Sequence, residues 1–213
     1  MTIMHFLISF ALAYLIGSVP FGYVVGKVFF HKDLLQLGSG SIGTTNTLRN
    51  LGWTAGISVL CLDVLKGVFG ASMAMLWGPI PTNMPWLYFA VGIGAILGHT
   101  YSVWIGFKGG KAVATSVGVL LVYNLQMAGL AFSAFGIALF LTSMVSVGSM
   151  VGFITVTIAS FVTHDWYLFV VALALTIFVI YRHRTNIKRI INRNENLIPF
   201  GLIYWLKGKD KTK

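Results

Sequence analysis

The sequence predicts an all-α integral membrane protein of about seven transmembrane helices, with the N-terminus outside and the C-terminus cytoplasmic. Composition is the first reason: of 213 residues, 57% are hydrophobic and only 9% charged, at a mean hydropathy of +0.84. A bilayer-spanning helix needs roughly 17–25 mainly apolar residues, so the length accommodates about five to seven spans in one domain, 1–213, with little left for an extramembrane part. The second reason is the arrangement of the apolar runs, and the third is the one-sided placement of Lys and Arg between them.

The runs fall at about Met4–Phe30, Trp53–Trp77, Trp86–Trp104, Val113–Tyr123, Met127–Ser143, Ser149–Phe161 and Tyr167–Tyr181. The fourth and sixth are short, so five spans would remain if those were re-entrant. Charge favours seven. Counting from an outside N-terminus, the loop after the first run holds Lys32 and Arg49, the loop after the third holds Lys108 and Lys111, and a basic tail from about 182 follows the seventh. The opposite loops, 78–85, 124–126 and 164–165, contain neither Lys nor Arg. The region from Met1 to Phe10 lacks the charged-then-apolar-then-cleaved pattern of a secretory signal and is expected to remain as a helix. Trp53, Trp77, Trp86, Trp104 and Trp166 lie near run ends, where indole rings anchor at the interface.

A formal charge of +10 would point to nucleic acid in a soluble protein. Here it is the topology signal of cytoplasmic loops, and no nucleic-acid partner is expected. Cys61 is the only cysteine, which excludes an intramolecular disulfide and a Cys-based zinc site. No metal or other cofactor is expected, because no His or carboxylate cluster has ligand spacing.

Two glycine-bracketed polar strings interrupt the apolar chain. The first is Gly38-Ser39-Gly40-Ser41-Ile42-Gly43-Thr44-Thr45-Asn46, with Arg49 three residues on. Its glycines permit close backbone approach to an anion, Ser39, Thr44, Thr45 and Asn46 supply neutral donors, and Arg49 can grip a phosphate with two prongs. Helix capping would explain one hydroxyl but neither Arg49 nor three glycines.

The second string is Phe107-Lys108-Gly109-Gly110-Lys111-Ala112-Val113-Ala114-Thr115. It fails as a nucleotide-binding Walker loop: three residues, not four, separate Gly106 from Gly110-Lys111, and Ala112 replaces the magnesium-binding hydroxyl. What survives is a lysine on a Gly-Gly turn at a helix start, where free N–H groups and the dipole favour an anion.

A third feature, Tyr181-Arg182-His183-Arg184-Thr185-Asn186-Ile187-Lys188-Arg189, ends the last run. In a continuing helix His183 and Asn186 share a face, as do Arg182, Asn186 and Arg189. A basic stop that binds anionic lipid accounts for the arginines but not for His183 and Asn186. Asp63 and Lys66 lie three apart within the second run, either a structural ion pair or part of the chemistry, and His99 is similarly open between packing and support of the lysine loop. Residues 143–149 read as a small-residue cytoplasmic turn.

In this order, the motifs resemble the bacterial acyl-phosphate-dependent glycerol-3-phosphate acyltransferases, the PlsY family, over nearly the whole chain. The family's Gly-Ser-Gly-Asn-Ile-Gly-Ala-Thr-Asn and Arg match Gly38–Asn46 and Arg49; its Phe-Lys-Gly-Gly-Lys-Gly-Val-Ala-Thr matches Phe107–Thr115; its His-Arg and Asn-Ile match His183-Arg184 and Asn186-Ile187. Ser41 stands where the family usually has Asn, Ala112 where it usually has Gly, and Arg193 where a Gly normally precedes the Thr-Glu that here ends in Glu195.

The resemblance implies transfer of a fatty acyl group from acyl phosphate to the sn-1 hydroxyl of glycerol 3-phosphate, giving lysophosphatidic acid and phosphate as the first step of phospholipid synthesis. It places the enzyme in the bacterial inner (plasma) membrane with its site facing the cytoplasm, in contact with membrane lipid and with the enzyme that supplies acyl phosphate. Ser39, Arg49, Lys111, His183 and Asn186 are the expected catalytic residues. Gly40, Gly43, Thr45, Asn46, Lys108, Gly109, Gly110, Ser146, Ser149 and Arg184 are expected to bind substrate phosphate. The competing class is a transporter of a phosphorylated solute, which would place basic groups near the midplane between repeated halves. The sequence shows no internal repeat.

Overall fold

The computed structural model describes residues 2–209, and among them it is helical apart from loops and one isolated antiparallel bridge between Ser102 and Lys108. The terminal lysines beyond residue 209 lie outside the described residues. The fold divides at Leu125, one compact unit preceding it and a second beginning at Gln126.

The first unit contains α1 (Ile3–Ser18), α2 (Phe21–Phe30), α3 (Thr44–Leu51), α4 (Trp53–Ser72), α5 (Leu87–Thr100) and α6 (Val113–Tyr123). The first apolar run is therefore two helices. Pro20 has no N–H to continue α1 and forces Val19 out of the helical region, to φ −56 and ψ 117. The Val19 carbonyl exposed by this break accepts a hydrogen bond from Lys66 Nζ at 3.1 Å. Lys66 also pairs with Asp63 at 2.8 Å, and both side chains are buried. Asp63 and Lys66 thus act structurally, fastening α4 to the interruption between α1 and α2.

Helices in this unit meet through glycine. A Cβ on Gly67 of α4 would strike the Thr115 carbonyl of α6, and one on Gly118 would strike the Val64 carbonyl. Lipid offers no hydrophobic drive for helices to associate, so this backbone proximity supplies the van der Waals contact that joins them. The apolar run from Trp86 ends as helix at Thr100, and Val103–Ile105 is a single 3-10 turn.

The second unit contains α7 from its second residue (Leu125–Thr142), α8 (Val145–Val162), α9 (Trp166–Arg182), α10 (Arg184–Ile191) and α11 (Leu202–Lys209). Asp165 caps α9 by accepting from the Leu168 N–H at 3.1 Å. Thr157 and Thr176 hydroxyls join α8 to α9 at 2.8 Å. Two expectations are corrected here. Residues 143–149 are not a turn throughout: only Ser143, at φ 56, and Met144 separate α7 from α8. Small residues are compatible with a membrane helix when a neighbour packs closely, and a Cβ on Gly148 would come within 2.9 Å of the Phe135 carbonyl of α7. Nor does one helix run through His183, since α9 and α10 are bent by 60° there.

Among the described residues, four helices or helix runs are long and apolar enough to cross a membrane, Ile3–Phe30, Trp53–Met75, Leu125–Thr142 and Val145–Val162, and the bent pair α9 and α10 makes a fifth if it is one span. Large apolar side chains such as Phe69, Ile137, Ile158 and Ile177 are exposed along these helices, as lipid-facing surfaces require. The chain is an all-helical integral membrane protein.

Candidate active site

In the first unit, both glycine strings end at the N-terminus of a helix that no side chain caps. The first string wraps around Asn46, which is buried at the start of α3. Its Oδ1 accepts from the Ser39 N–H at 3.0 Å and from Asn50 Nδ2 at 3.0 Å. Its Nδ2 donates to the carbonyls of Ser41 at 2.8 Å and Leu37 at 3.0 Å, with the Leu34 carbonyl farther off at 3.4 Å. Both protons of the amide are thereby engaged, so Asn46 is the loop's scaffold and not a donor to phosphate as expected from the sequence. Gly38 and Gly40 take φ +58 and +68, and a Cβ at Gly38 would lie 2.5 Å from Asn46 Oδ1. The loop closes around Asn46 because those two residues have no side chain.

Gly43 then opens α3 without a side-chain cap. Thr45 and Arg49 follow one turn apart on the same face of α3, both half-buried, while Ser39 is exposed at the rim.

The second string is held by His99. Gly110 donates its N–H to the His99 carbonyl at 3.1 Å, and a Cβ on Gly110 would collide with His99 Nε2. His99 Nδ1 lies 3.5 Å from Asp63 Oδ1. A buried chain of contacts therefore runs from the Val19 break through Lys66, Asp63 and His99 to the Gly109-Gly110 turn. It settles the open question about His99, which supports the lysine loop. Lys108 is exposed and its carbonyl accepts from the Ser102 N–H at 3.2 Å. Lys111 is half-buried immediately before Ala112, which starts α6 at φ 64 and likewise offers no side-chain cap. Uncapped N–H groups at a helix start beside a cation make a site for an anion.

In the second unit the organising group is Glu195. It is buried, and it accepts from Asn186 Nδ2 at 2.6 Å and Ser146 Oγ at 2.9 Å on Oε1, and from Arg189 Nε at 2.8 Å on Oε2. Burial raises its carboxyl pKa, but the hydrogen bonds from Arg189, Asn186 and Ser146 and the Arg189 charge outweigh that and hold it below the ordinary glutamate value. His183, buried at the bend, places Nδ1 2.8 Å from the Val179 carbonyl. A carbonyl only accepts, so Nδ1 is the ring nitrogen that carries a proton toward Val179.

The expected phosphate donors of this unit stand differently. Ser146 gives its proton to Glu195, Ser149 donates to the Val145 carbonyl at 2.8 Å, and Arg184 reaches back to the Tyr181 carbonyl at 3.3 Å while lying over the Tyr181 ring. Among the described residues no group of three or more His, Cys, Asp and Glu could hold a metal ion.

A family model described as glycerol-3-phosphate acyltransferase matches residues 7–193. The chain belongs to the glycerol-3-phosphate acyltransferase family. Glycerol-3-phosphate acyltransferase 2 of Lactobacillus johnsonii is 48% identical over 210 residues, which cover 97% of this chain and 94% of that protein. The crystal structure of PlsY, an integral membrane glycerol 3-phosphate acyltransferase, in its glycerol 3-phosphate form aligns with a TM-score of 0.81 at 36% identity, covering 91% of this chain and 95% of that one. Its lysophosphatidic acid form aligns at 0.78 and 35% identity over the same shares.

As a member of this acyltransferase family the chain is an integral membrane enzyme. Glu195, which the sequence marks only as the end of a family-like motif, has a role that the motif alone does not give it. Its signal was present: it is one of five carboxylates in the chain and stands among Arg184, Lys188, Arg189 and Arg193, where a lone acid calls for a partner. The glycines usual in the acyltransferase family at 112 and 193 also acquire a physical reason, since Ala112 and Arg193 have φ of 64 and 57, in the left-handed region.

Proposed function

We propose that this acyltransferase moves a fatty acyl group from acyl phosphate to the sn-1 hydroxyl of glycerol 3-phosphate, releasing inorganic phosphate and lysophosphatidic acid. The observation that carries the reading is the pair of uncapped helix starts, α3 and α6, each led by a glycine turn and each accompanied by a cation, Arg49 or Lys111. Both substrates bring phosphate, and forms of PlsY with glycerol 3-phosphate and with lysophosphatidic acid support the substrate and product assignment.

Acyl phosphate is a mixed anhydride with a good leaving group. The hydroxyl oxygen attacks the carbonyl carbon, the carbon–oxygen bond to phosphate breaks, and the hydroxyl proton leaves to a base. The protein's work is therefore orientation and charge stabilisation. Arg49 and Lys111 neutralise phosphate, with Gly40, Gly43, Thr45, Lys108, Gly109 and Gly110 supplying the cradles and Ser39 a hydroxyl. Asn186, held by Glu195, orients substrate. His183 Nε2 is the protein's acceptor for the proton, and a substrate phosphate is the alternative acceptor. Asn46, Ser146 and Ser149 hold the frame.

The topology in this reading is seven spans, with α1 and α2 together as the first, α4 to α9 as the remainder, the N-terminus outside and the site facing the cytoplasm. The short α5 and α6 then cross within the protein. The whole chain acts as one domain in the bacterial plasma membrane, and the enzyme that makes acyl phosphate is its partner in supply.

The test uses purified protein in detergent with glycerol 3-phosphate and either palmitoyl phosphate or palmitoyl-CoA. Phosphate release and lysophosphatidic acid from the first donor alone support the reading. Equal or better use of palmitoyl-CoA sinks the donor assignment, and no transfer from either sinks the function.

A further inference from the structure

The family model ends at residue 193, and the structure builds one more helix beyond it. Helix α11 has the sequence Leu-Ile-Tyr-Trp-Leu-Lys-Gly-Lys. Its placement is fixed by Gly201 and Ser143. Gly201 takes φ +100, and a Cβ there would lie 2.6 Å from the Phe140 carbonyl and 2.8 Å from Ser143 Oγ, so only glycine lets the chain fold back at this point. The Tyr204 N–H then donates to Ser143 Oγ at 2.9 Å, and the Ile198 N–H donates to the Ser143 carbonyl at 3.0 Å. Phe140, Phe200 and Trp205 form a three-way edge-to-face cluster over the joint, with centroids 5.8 to 6.2 Å apart.

Ser143 lies between the end of one candidate span, Leu125–Thr142, and the start of the next, Val145–Val162. A helix pinned to that residue sits at the depth where hydrocarbon gives way to headgroups. What it presents there is apolar and aromatic: Leu202 is 42% exposed, Tyr204 42%, Trp205 47% and Leu206 56%. Amphipathic aromatic rings beside aliphatic residues favour the membrane interface over either water or hydrocarbon. Four lysines and a single aspartate follow between 207 and 213, which gives the segment the sign that anionic lipid attracts.

We propose that α11 is an interfacial anchor whose partner is the anionic lipid surface, and that its seating there holds taut the strap of residues 192–201, which carries Glu195. The strap is fixed at Glu195 by Ser146, Asn186 and Arg189, and at Ile198 by Ser143. Seating α11 in the interface immobilises its far end. The consequence for Asn186 rests on the function proposed above, whereas the membrane contact itself does not.

The experiment uses the full chain with Cys61→Ser and Leu206→Cys, labelled at residue 206 with an environment-sensitive nitrobenzoxadiazole probe. The protein is placed in lipid nanodiscs, where both faces meet solvent, made of phosphatidylcholine alone or with one third phosphatidylglycerol. The expected result is emission blue-shifted in the anionic discs relative to phosphatidylcholine alone, with the difference abolished by molar salt. Equal emission in the two lipids overturns the proposal. In a second arm, Leu206→Glu, at an exposed position outside the aromatic cluster, is expected to lower turnover about tenfold in anionic discs and by less than about twofold in detergent. An equal loss in detergent would make α11 an internal packing element and overturn the lipid role. Lys207→Gln with Lys209→Gln, which leaves the apolar face intact, is expected to remove the phosphatidylglycerol dependence while keeping the phosphatidylcholine rate. Persistence of that dependence counts against the proposal. Because the probe requires no turnover, a blue-shifted probe on a protein inactive with acyl phosphate would refute the proposed reaction and leave the anchor standing.

Discussion

Replacing Glu195 by Gln keeps the side chain's shape while removing its charge and one of its two acceptor oxygens. In the native arrangement Oε1 serves Ser146 and Asn186 and Oε2 serves Arg189, at 2.6 to 2.9 Å. If the amide turns its oxygen toward Ser146 and Asn186, its NH2 faces the Arg189 N–H, donor against donor. If it turns the other way, two donors lose their acceptor. Hydrogen bonds to a charged group contribute about 1.5–3 kcal/mol each, but the Arg189 side chain is 32% exposed and water replaces part of its bond. The expected loss of stability is therefore about 2 kcal/mol for Glu195→Gln and about 3–4 kcal/mol for Glu195→Ala, which orphans every donor. Turnover should fall about tenfold or more in the Gln variant as Asn186 loses its fixed orientation. Thermal unfolding in detergent and a phosphate-release assay read both effects. The pH dependence has a definite sign. The folded pKa is depressed below the ordinary glutamate value, so the charge's contribution is complete above that value and disappears as pH falls through the folded one. The stability gap between wild type and Gln should be constant near neutrality and close on acidification through that window. A Gln variant as stable and active as wild type, or a gap that widens in acid, would refute the reasoning.

Lys111→Ala and Arg49→Ala should each lower turnover about a hundredfold or more, and Arg49→Lys should also be strongly impaired because an ammonium cannot make the planar two-pronged contact; steady-state kinetics on folded, membrane-inserted protein checks all three. Gly110→Ala should raise the KM for glycerol 3-phosphate severely, since the new methyl occupies the place of His99 Nε2. Arg193→Gly, at an exposed left-handed position, should raise stability by about 0.5–1 kcal/mol in thermal unfolding, and Ala112→Gly by less because a buried methyl is lost. Activity should persist in excess chelator; loss with recovery on adding magnesium would show that an ion neutralises the phosphates.

The apolar runs made most helices legible, and Val113–Tyr123 falls where the sequence put it. The break at Pro20 was written in the sequence but hidden by apolar residues on both sides. What no run could show is how its backbone is satisfied: that depends on Lys66, 47 residues away in the chain. The two glycine loops were legible because glycines, hydroxyls and a cation stand out together in so apolar a chain. The roles within them were less so, because Asn46, Ser146 and Ser149 have the chemistry of ligands and only the fold shows their protons already used. Glu195 was left without a role for the converse reason. A lone carboxylate in a basic tail reads as charge balance until Ser146, 49 residues earlier, is found bonded to it.

The central claim is that the chain moves an acyl group and not a phosphoryl group, and oxygen labelling separates the two directly. Palmitoyl phosphate carrying ¹⁸O in the bridging oxygen is supplied with glycerol 3-phosphate, and the products are read by mass spectrometry. Attack at the carbonyl carbon breaks the bond from carbon to the bridging oxygen, so the label is expected in inorganic phosphate and absent from lysophosphatidic acid. Label in free palmitate, with the phosphoryl group now on the glycerol moiety, would mean attack at phosphorus and would contradict the account.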